Sequence, residues 1–480
     1  MNIKTIFHSL GKLLYVEAIL MILPLIVSFI YKESTYLSFL IPIGILAIGG
    51  FLLSLIKVER KNFYAKEGFV LVGLSWLVMS LVGCLPFIIS REIPNFVDAL
   101  FETVSGFSTT GASILNDVEK LSKSILFWRS FTHWIGGMGV LVFILAILPS
   151  SDGNNIFILR AESTGPRVGK LVSKVKVTAR ILYLIYIALT ILQIIFLLCG
   201  EMDFFESVVF SFSTAGTGGF SIKNDSVMSY STYSQIVITI FMFIFGINFN
   251  IFYLIIIGKV SQALKSEEFW WYTGIVLVSA LLITINIYSL SSSLAISIKD
   301  AFFQVVSITT TTGLATINYD LWPGFSKMIL FVLTFIGACA GSTGGGLKIS
   351  RVIILFKSVK KEFKKIVHPL SVSNIRFEGT RVEESVVKGV VNYFVLILVI
   401  FVVGTFALSI DTFGDFETNV TAMAACLNNV GPGFSKVGPI GNFSGFNVIS
   451  KLVLAFSMLI GRLEIYPMLL LFNPKVWMNK

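Results

Sequence analysis

The chain has 480 residues, 55% of them hydrophobic and only 13% charged, with a mean hydropathy of +0.86. Soluble domains carry roughly 25% charged residues to stay dissolved, so this composition excludes a soluble fold and implies an integral membrane protein in contact with lipid. The formal charge of +10 does not point to nucleic acid, because the cations fall between apolar segments instead of on one patch.

The first twelve residues are mildly basic and lead into an apolar segment too long for the core of a signal peptide, which reads as a retained anchor helix. A span needs about 20 apolar residues. In chain order the runs that qualify are 13–33, 36–56, 67–90, 126–149, 179–200, 233–257, 271–290, 326–347, 388–409 and 450–472. With ten spans the basic clusters all fall on one side, and that side holds both termini. They include Lys57 to Lys66, Arg160 to Arg180, Lys259 and Lys265, and Lys348 to Lys388. Positive loops are cytoplasmic, so both termini are expected in the cytoplasm of a multi-pass cell (inner) membrane protein. Cys84, Cys199, Cys339 and Cys426 lie in or beside apolar stretches without a CxxC pair, and His8, His133 and His368 have no ligand spacing. Neither a disulfide framework nor a zinc site is suggested. No nucleophile–base constellation appears, so an enzyme is not expected.

The segments on the opposite side repeat. They are DALFETVSGFSTTGAS (98–113), ESVVFSFSTAGTGGFS (206–221), DAFFQVVSITTTTGLA (300–315) and TNVTAMAACLNNVGPG (418–433). Aligned without gaps, each carries a glycine thirteen residues after its first: Gly111, Gly219, Gly313 and Gly431. An internal repeat is a strong architectural signal. Each segment opens with about ten residues of helical pattern, too short to cross a bilayer, so a re-entrant helix is expected. Each then runs into a polar, glycine-containing stretch: Thr109-Thr110-Gly111, Thr217-Gly218-Gly219, Thr311-Thr312-Gly313 and Asn429-Val430-Gly431. Irregular backbone at membrane depth is tolerated only in protein or along a watery cavity. Four such loops around one axis would present rings of carbonyl oxygens, the device that replaces the water shell of a potassium ion. Glycine reaches positive φ freely where other residues lose on the order of 1–2 kcal/mol. The threonine hydroxyls would add a further oxygen layer, and the helix C-termini would favour a cation. For any one loop the alternative is a plain turn at the membrane edge; four copies argue against it. Asp98, Glu102, Asp203, Glu206, Asp300, Asp411, Asp415 and Glu417 would give the mouth a negative field, or are simply solvated interface residues.

Taken with FWRSFTHWIGGMGV (127–140), GACAGSTGGGLKISR (337–351) and GRLEIYPMLLLFNP (461–474), these loops resemble the Trk/Ktr/HKT superfamily of potassium transporters, and within it the TrkH branch. The resemblance covers essentially the whole chain. It implies an all-α polytopic membrane protein in which four tandem membrane–pore-loop–membrane units form a pseudo-fourfold pore, preceded by two N-terminal helices. The implied divisions are 1–60 for the N-terminal addition and 61–155, 156–265, 266–360 and 361–480 for the units. It implies K+ bound in the filter, and a homodimer with one pore per protomer. It also implies a cytosolic nucleotide-binding regulatory subunit of the TrkA type, for which 348–388 is a candidate docking surface.

The resemblance further implies that residues 337–348 form an intramembrane gating loop, which would include Gly337, Gly341, Ser342, Thr343, Gly344, Gly345, Gly346 and Lys348. The residues agree, since glycines interrupting a span free backbone that must face a cavity. GSTGGGLK is not a phosphate loop, because Lys348 does not directly follow the last glycine and no Ser or Thr follows it. Arg462 in the last span is a second gating candidate, with a structural Arg462–Glu464 pair as the alternative. Arg129 and His133 are expected to snorkel at the outer membrane edge, and Asn248 and Asn250 to make helix–helix hydrogen bonds. Pro432 after the fourth glycine removes a donor and stiffens that quarter. From other classes, a cation-coupled transporter of a small solute would also use broken helices, and a non-conducting scaffold would need none.

Overall fold

The computed structural model describes residues 3–58, 65–139, 175–290, 293–369, 371 and 374–477. Among them, six helical stretches are long and apolar enough to cross a membrane: Ile3–Ile30, Tyr36–Ser54, Lys66–Ile89, Ala179–Leu198, Glu267–Leu290 and Glu384–Leu408. The first begins earlier than the expected 13–33. It crosses Tyr36–Ser54 where glycines let the backbones touch: a Cβ on Gly50 would lie 3.0 Å from the Gly11 carbonyl oxygen. Small residues at such crossings are how helices associate where lipid supplies no hydrophobic drive.

Between the long helices lie four short ones, Phe96–Phe107, Phe204–Ala215, Leu294–Thr309 and Phe416–Leu427. At 12, 12, 16 and 12 residues they reach about 18–24 Å, short of a hydrocarbon layer of about 30 Å. Each starts at a side-chain cap that satisfies an orphan amide: Asn95 accepts from Val97 N, Asp203 from Glu206 N, Ser293 from Ile296 N and Asp415 from Thr418 N.

The helices that follow them depart from expectation. Lys123–Gly137, Thr232–Phe245, Gly324–Ile336 and Val448–Arg462 all stop after 13 to 15 residues. The sequence marks a break only in 326–347. In the structure, Thr232–Phe245 also bends by 90° into Phe249–Ile256. Val448–Arg462 ends at Glu464 and Ile465, whose φ values are +57° and +69°, before Tyr466–Leu471 resumes. Lys123–Gly137 ends before Gly139, at φ +76°. The rest of the expected span 126–149, together with Arg60, Lys61, Arg160, Arg167, Lys170 and Lys174, lies outside the described residues. The fold is not purely helical either. Arg376–Phe377 pairs with Thr380–Arg381 in an antiparallel hairpin, and its two turn residues, Glu378 and Gly379, both have positive φ, as a type I′ turn requires.

One carboxylate docks the N-terminal helix pair on the rest. Glu33, in the loop before Tyr36–Ser54, accepts from the amides of Lys123 (2.7 Å) and Ser124 (3.1 Å) and from the Ser124 hydroxyl (2.6 Å). It caps Lys123–Gly137 from outside that helix. Loss of an N-cap costs about 0.5–2 kcal/mol, so Glu33→Ala should lower the thermal midpoint in detergent while leaving ion discrimination in a flux assay unchanged.

Candidate functional site

The four short helices end alike. In each, the amide two residues past the C-cap reaches back to a carbonyl of the last turn: Thr110 to Ser105, Gly218 to Ser213, Thr312 to Ser307 and Val430 to Ala425, at 2.8–2.9 Å. The amides of Thr109, Thr217, Thr311 and Asn429 make the accompanying shorter bond, to Gly106, Thr214, Ile308 and Cys426. This is the Schellman termination, which places its C′ residue in the left-handed region and usually uses glycine there. Here Thr109, Thr217, Thr311 and Asn429 sit at φ +55° to +59°. Each holds a conformation that costs a non-glycine residue on the order of 1 kcal/mol. A reading that reserves positive φ for the glycines misses this.

The glycine two residues on follows at φ +80° in Gly111, Gly219 and Gly313 and +98° in Gly431. A second constraint is stricter than φ. A Cβ on Gly111 would lie 1.9 Å from the Gly218 carbonyl oxygen, and one on Gly219 1.9 Å from that of Thr312. A Cβ on Gly313 would lie 2.2 Å from the Val430 oxygen, and one on Gly431 2.6 Å from that of Thr110. The contacts run from the first loop to the second, third, fourth and back to the first. Four carbonyls thus form a closed ring with no room for any side chain. All four glycines line one cavity of about 150 Å³, with Ser113 and Ser221 on its wall. Several threonine hydroxyls of these stretches are hydrogen-bonded to protein, whereas Thr109 Oγ1 is buried without a partner among the described residues. Thr110 pairs with Ser108 (2.7 Å) and accepts from Asn429 Nδ2 (2.9 Å), and Thr312 pairs with Thr310 (2.8 Å). Thr217 donates to the Gly216 carbonyl (2.6 Å).

The acids expected at the mouth are mostly occupied. Asp98 is paired with Lys451 (2.6 Å), Asp300 with Lys299 (3.3 Å) and Glu417 with Lys327 (2.6 Å), while Glu206 accepts from the Tyr230 hydroxyl (3.0 Å). Asp203 and Asp415 are helix caps. The hydroxyl and amide of Thr418 hold the Asp415 carboxyl below its ordinary value. At Asp411 partial burial opposes the charge, but the amides of Asn447 and Phe413 outweigh it and the carboxyl is again lowered. Asp411 and Asp415 are therefore ionised at neutral pH and tied to local structure.

Glu102 is the clearest correction. It is fully buried, and so is Arg129, which does not snorkel. Arg129 Nε donates to Glu102 (2.6 Å), its Nη1 donates to the Ser221 carbonyl (2.8 Å), and its guanidinium stacks on the Phe220 ring at 3.7 Å. Glu102 also accepts from Ser113 Oγ and Ile114 N, both at 3.0 Å. One ion pair therefore braces the outer legs of the first and second loops from behind. His133 is equally buried. Its Nδ1 lies 2.8 Å from the Gly106 carbonyl, and its Nε2 accepts from Phe220 N at 3.3 Å. One nitrogen must donate and the other accept, which defines a neutral imidazole. A Cβ on Gly218 would lie 2.2 Å from this ring.

Beneath the ring, residues 337–348 make a compact excursion whose ends touch: a Cβ on Gly346 would lie 2.7 Å from Gly337 Cα. The loop abuts the third and fourth short helices, since Cβ atoms on Gly344 and Gly345 would lie 2.9 and 2.5 Å from the carbonyl oxygens of Thr310 and Asn428. Gly345 N donates to Thr311 Oγ1 (2.7 Å). The loop also meets the break at 246–248. Phe249 N donates to Gly341 O (3.0 Å), Cys339 N to Gly246 O (3.1 Å) and Thr343 Oγ1 to Phe245 O (3.3 Å). Buried Glu268 accepts from Ala340 N (2.7 Å) and, at 3.5 Å, from Asn248 Nδ2. Asn248 also caps its own helix at Asn250 N, in addition to the bond to Glu268 on the helix Glu267–Ile287. Lys348, buried at φ +70°, donates to the Gly344 and Cys339 carbonyls. Ser342 Oγ donates to Cys339 O (2.6 Å). Arg462 donates to the carbonyls of Thr343 (2.8 Å), Gly137 (2.8 Å) and Gly136. It joins the last unit to the loop and to the first unit. Glu464, the alternative partner expected for Arg462, is bonded to Arg351 at 2.6 Å.

Such a molecule is a mostly helical, multi-pass membrane protein organised around irregular backbone in its interior. Comparison with known proteins narrows the class. The family model described as "Cation transport protein" (TrkH) matches residues 42–284 and 275–478. The Trk system potassium uptake protein TrkH of Escherichia coli K12 is 35% identical over 99% of this chain and 100% of its own length. TrkG of the same strain is 32% identical over 99% of each. The crystal structure of the potassium transporter TrkH from Vibrio parahaemolyticus superposes with a TM-score of 0.90 at 32% identity, covering 100% of both chains. The chain belongs to the TrkH family.

Removing one partner of a buried ion pair costs about 3–5 kcal/mol, because the other charge is left uncompensated. Glu102→Gln should therefore sharply lower the thermal midpoint in detergent. Asp98→Asn, at a partly exposed pair, should shift it little, and equal effects would refute the bracing role of Glu102.

Proposed function

We propose that this protein takes up potassium through the cell (inner) membrane, with both termini cytoplasmic and the membrane potential as the driving force. One charge moving through 100 mV gains about 2.3 kcal/mol. The observation that carries this reading is the closed sequence of contacts between Gly111, Gly219, Gly313 and Gly431 and their neighbours' carbonyls. In this reading the Thr109–Gly111, Thr217–Gly219, Thr311–Gly313 and Asn429–Gly431 stretches are the quarters of a selectivity filter in a pseudo-fourfold pore. Their oxygens stand in for the hydration shell of the transported ion. The C-terminal ends of the four short helices converge there and add a partial negative potential. The names of the relatives, potassium uptake proteins of Trk systems, support the choice of ion.

Residues 337–348 act as the gate, held shut by Lys348 and Arg462. Gly337, Gly344, Gly345 and Gly346 let it pack where a Cβ would clash, Gly341 supplies a φ of +70°, and Ser342 and Thr343 tie its turns. The protein works as a homodimer with one pore per protomer, on a cytosolic nucleotide-binding subunit of the TrkA type. Its transport is channel-like.

Rubidium and sodium flux into proteoliposomes tests the filter. Gly313→Ser forces a Cβ toward the Val430 carbonyl and should lower rubidium-over-sodium discrimination at least about tenfold, the change that 1.4 kcal/mol produces. Unchanged discrimination with normal flux would remove the loop from the ion path. Arg462→Gln frees the Thr343, Gly136 and Gly137 carbonyls and should raise basal rubidium flux. A variant that folds normally without that rise would deny Arg462 a gating role.

A further inference from the structure

The helix Ile349–Val367 leaves the gating-loop candidate directly, with Lys348 as its first cap residue. Its first half is embedded: Ile349, Arg351, Ile353 and Ile354 are buried, and Arg351 is bonded to Glu464 and stacked on Tyr393 at 4.1 Å. Its second half is different. Phe356, Val359, Phe363, Ile366 and Val367 are 55–75% exposed. At about 100° per residue they fall on one stripe. Lys360 and Lys364 flank that stripe and Lys365 lies on the opposite face. None of these three lysines makes an ion pair among the described residues.

The other lysines give the level of this half-helix relative to the bilayer. Lys357 is paired with Glu267 and Lys361 with Glu384 (3.5 Å). Glu267 and Glu384 are the first residues of two long apolar helices, Glu267–Ile287 and Glu384–Leu408. Beside Glu267, Trp270 and Trp271 are half-exposed, the aromatic pair that marks a headgroup boundary. The amphipathic half-helix therefore runs at the height where spans begin, on the face where the chain's lysines and arginines gather.

We propose that residues 356–367 are a binding surface for anionic phospholipid headgroups, with the Phe356–Phe363–Ile366 stripe dipped into the acyl boundary and Lys360, Lys364 and Lys365 on the phosphates. A helix with an apolar stripe on one side and a lysine-rich remainder lies in the interface in this way, and juxtamembrane lysines near a negative leaflet each add to the attraction. Charge complementarity selects lipid over a second copy of the chain, since two such helices would bring like-charged lysine rows together. Because the helix continues without a break from Lys348, its grip on the leaflet is transmitted to residues 337–348.

A nitroxide at Phe363→Cys, in a Cys199→Ser background that removes the exposed native thiol, tests this in the full-length protein. In vesicles of phosphatidylcholine with phosphatidylglycerol, the label should be reached by oxygen and shielded from a water-soluble nickel chelate. The triple variant Lys360→Gln/Lys364→Gln/Lys365→Gln should lose most of that shielding. Rubidium uptake by the unlabelled protein should change several-fold when phosphatidylglycerol is added, and the triple variant should flatten that response. Nickel access in every vesicle would put the face in water. Dipolar broadening between labels would identify a second copy as the occupant. Equal shielding in phosphatidylcholine alone would remove the anionic requirement. Each of these three results overturns the proposal.

Discussion

Bare backbone polar groups away from water are the constraint on which the rest of this structure depends. Each unsatisfied amide or carbonyl in hydrocarbon costs several kcal/mol, yet the described residues include four short helices that end in irregular backbone and four more that stop after 13 to 15 residues. The structure closes these deficits against one another. The short helices recapture their terminal carbonyls with their own Schellman amides. The break at 246–248 and the excursion at 337–348 exchange backbone bonds directly, through Phe249 to Gly341 and Cys339 to Gly246. Glu268 takes an amide that neither break could satisfy alone. Two interruptions in different units are thus one interface, and neither would be stable if the other were a straight helix.

The same constraint explains the charges buried in the membrane interior. Buried Glu102, Arg129 and Lys348, and half-buried Arg462, are hydrogen-bonded to backbone at the places where it leaves regular structure. A buried ion pair contributes little net stability against an apolar substitute. What Glu102–Arg129 does supply is position: the first loop at Ser113 and Ile114 and the second at Ser221 and Phe220 are held from one side chain pair. His133 links the two as well, its Nδ1 on the Gly106 carbonyl of the first short helix and its Nε2 on the Phe220 amide of the second loop. The ring's short loops have few bonds to each other, so a rigid rear wall of this kind fixes their spacing.

Much of the plan was legible in the sequence, and the failures share a cause. The four segments could be aligned because the glycine at the fourteenth position of each is doubly required, by φ and by the neighbouring carbonyl, and both are local and repeated. The six long spans were visible because hydropathy is a sum over a window. The breaks after Phe245 and Arg462 were hidden by that same sum: INFN at 247–250 and GRLE at 461–464 are too short to lower the average over twenty apolar residues. Arg129 and Glu102 were misplaced for another reason. Each taken alone is a charge near a membrane edge, and only the approach of the first short helix to Lys123–Gly137, twenty-seven residues apart at the contact, turns two edge charges into a buried pair. The Phe-rich helix Phe96–Phe107 contained the one usable signal, a lone glutamate on an otherwise apolar stretch following an already capped N-terminus.

In the proposed reading, where ions pass through the ring, the two cations below it have a consequence for passage. Lys348 and Arg462 both donate to carbonyls of the 337–348 excursion, so these oxygens already serve fixed positive charges. A permeating cation would meet that like charge after leaving the ring. Two unit charges about 8 Å apart at an effective dielectric constant near 20 repel by about 2 kcal/mol. A membrane potential of 100 mV drives the same ion by about 2.3 kcal/mol. In that reading the barrier and the drive are of one size, so the positions of these two side chains decide which of them prevails.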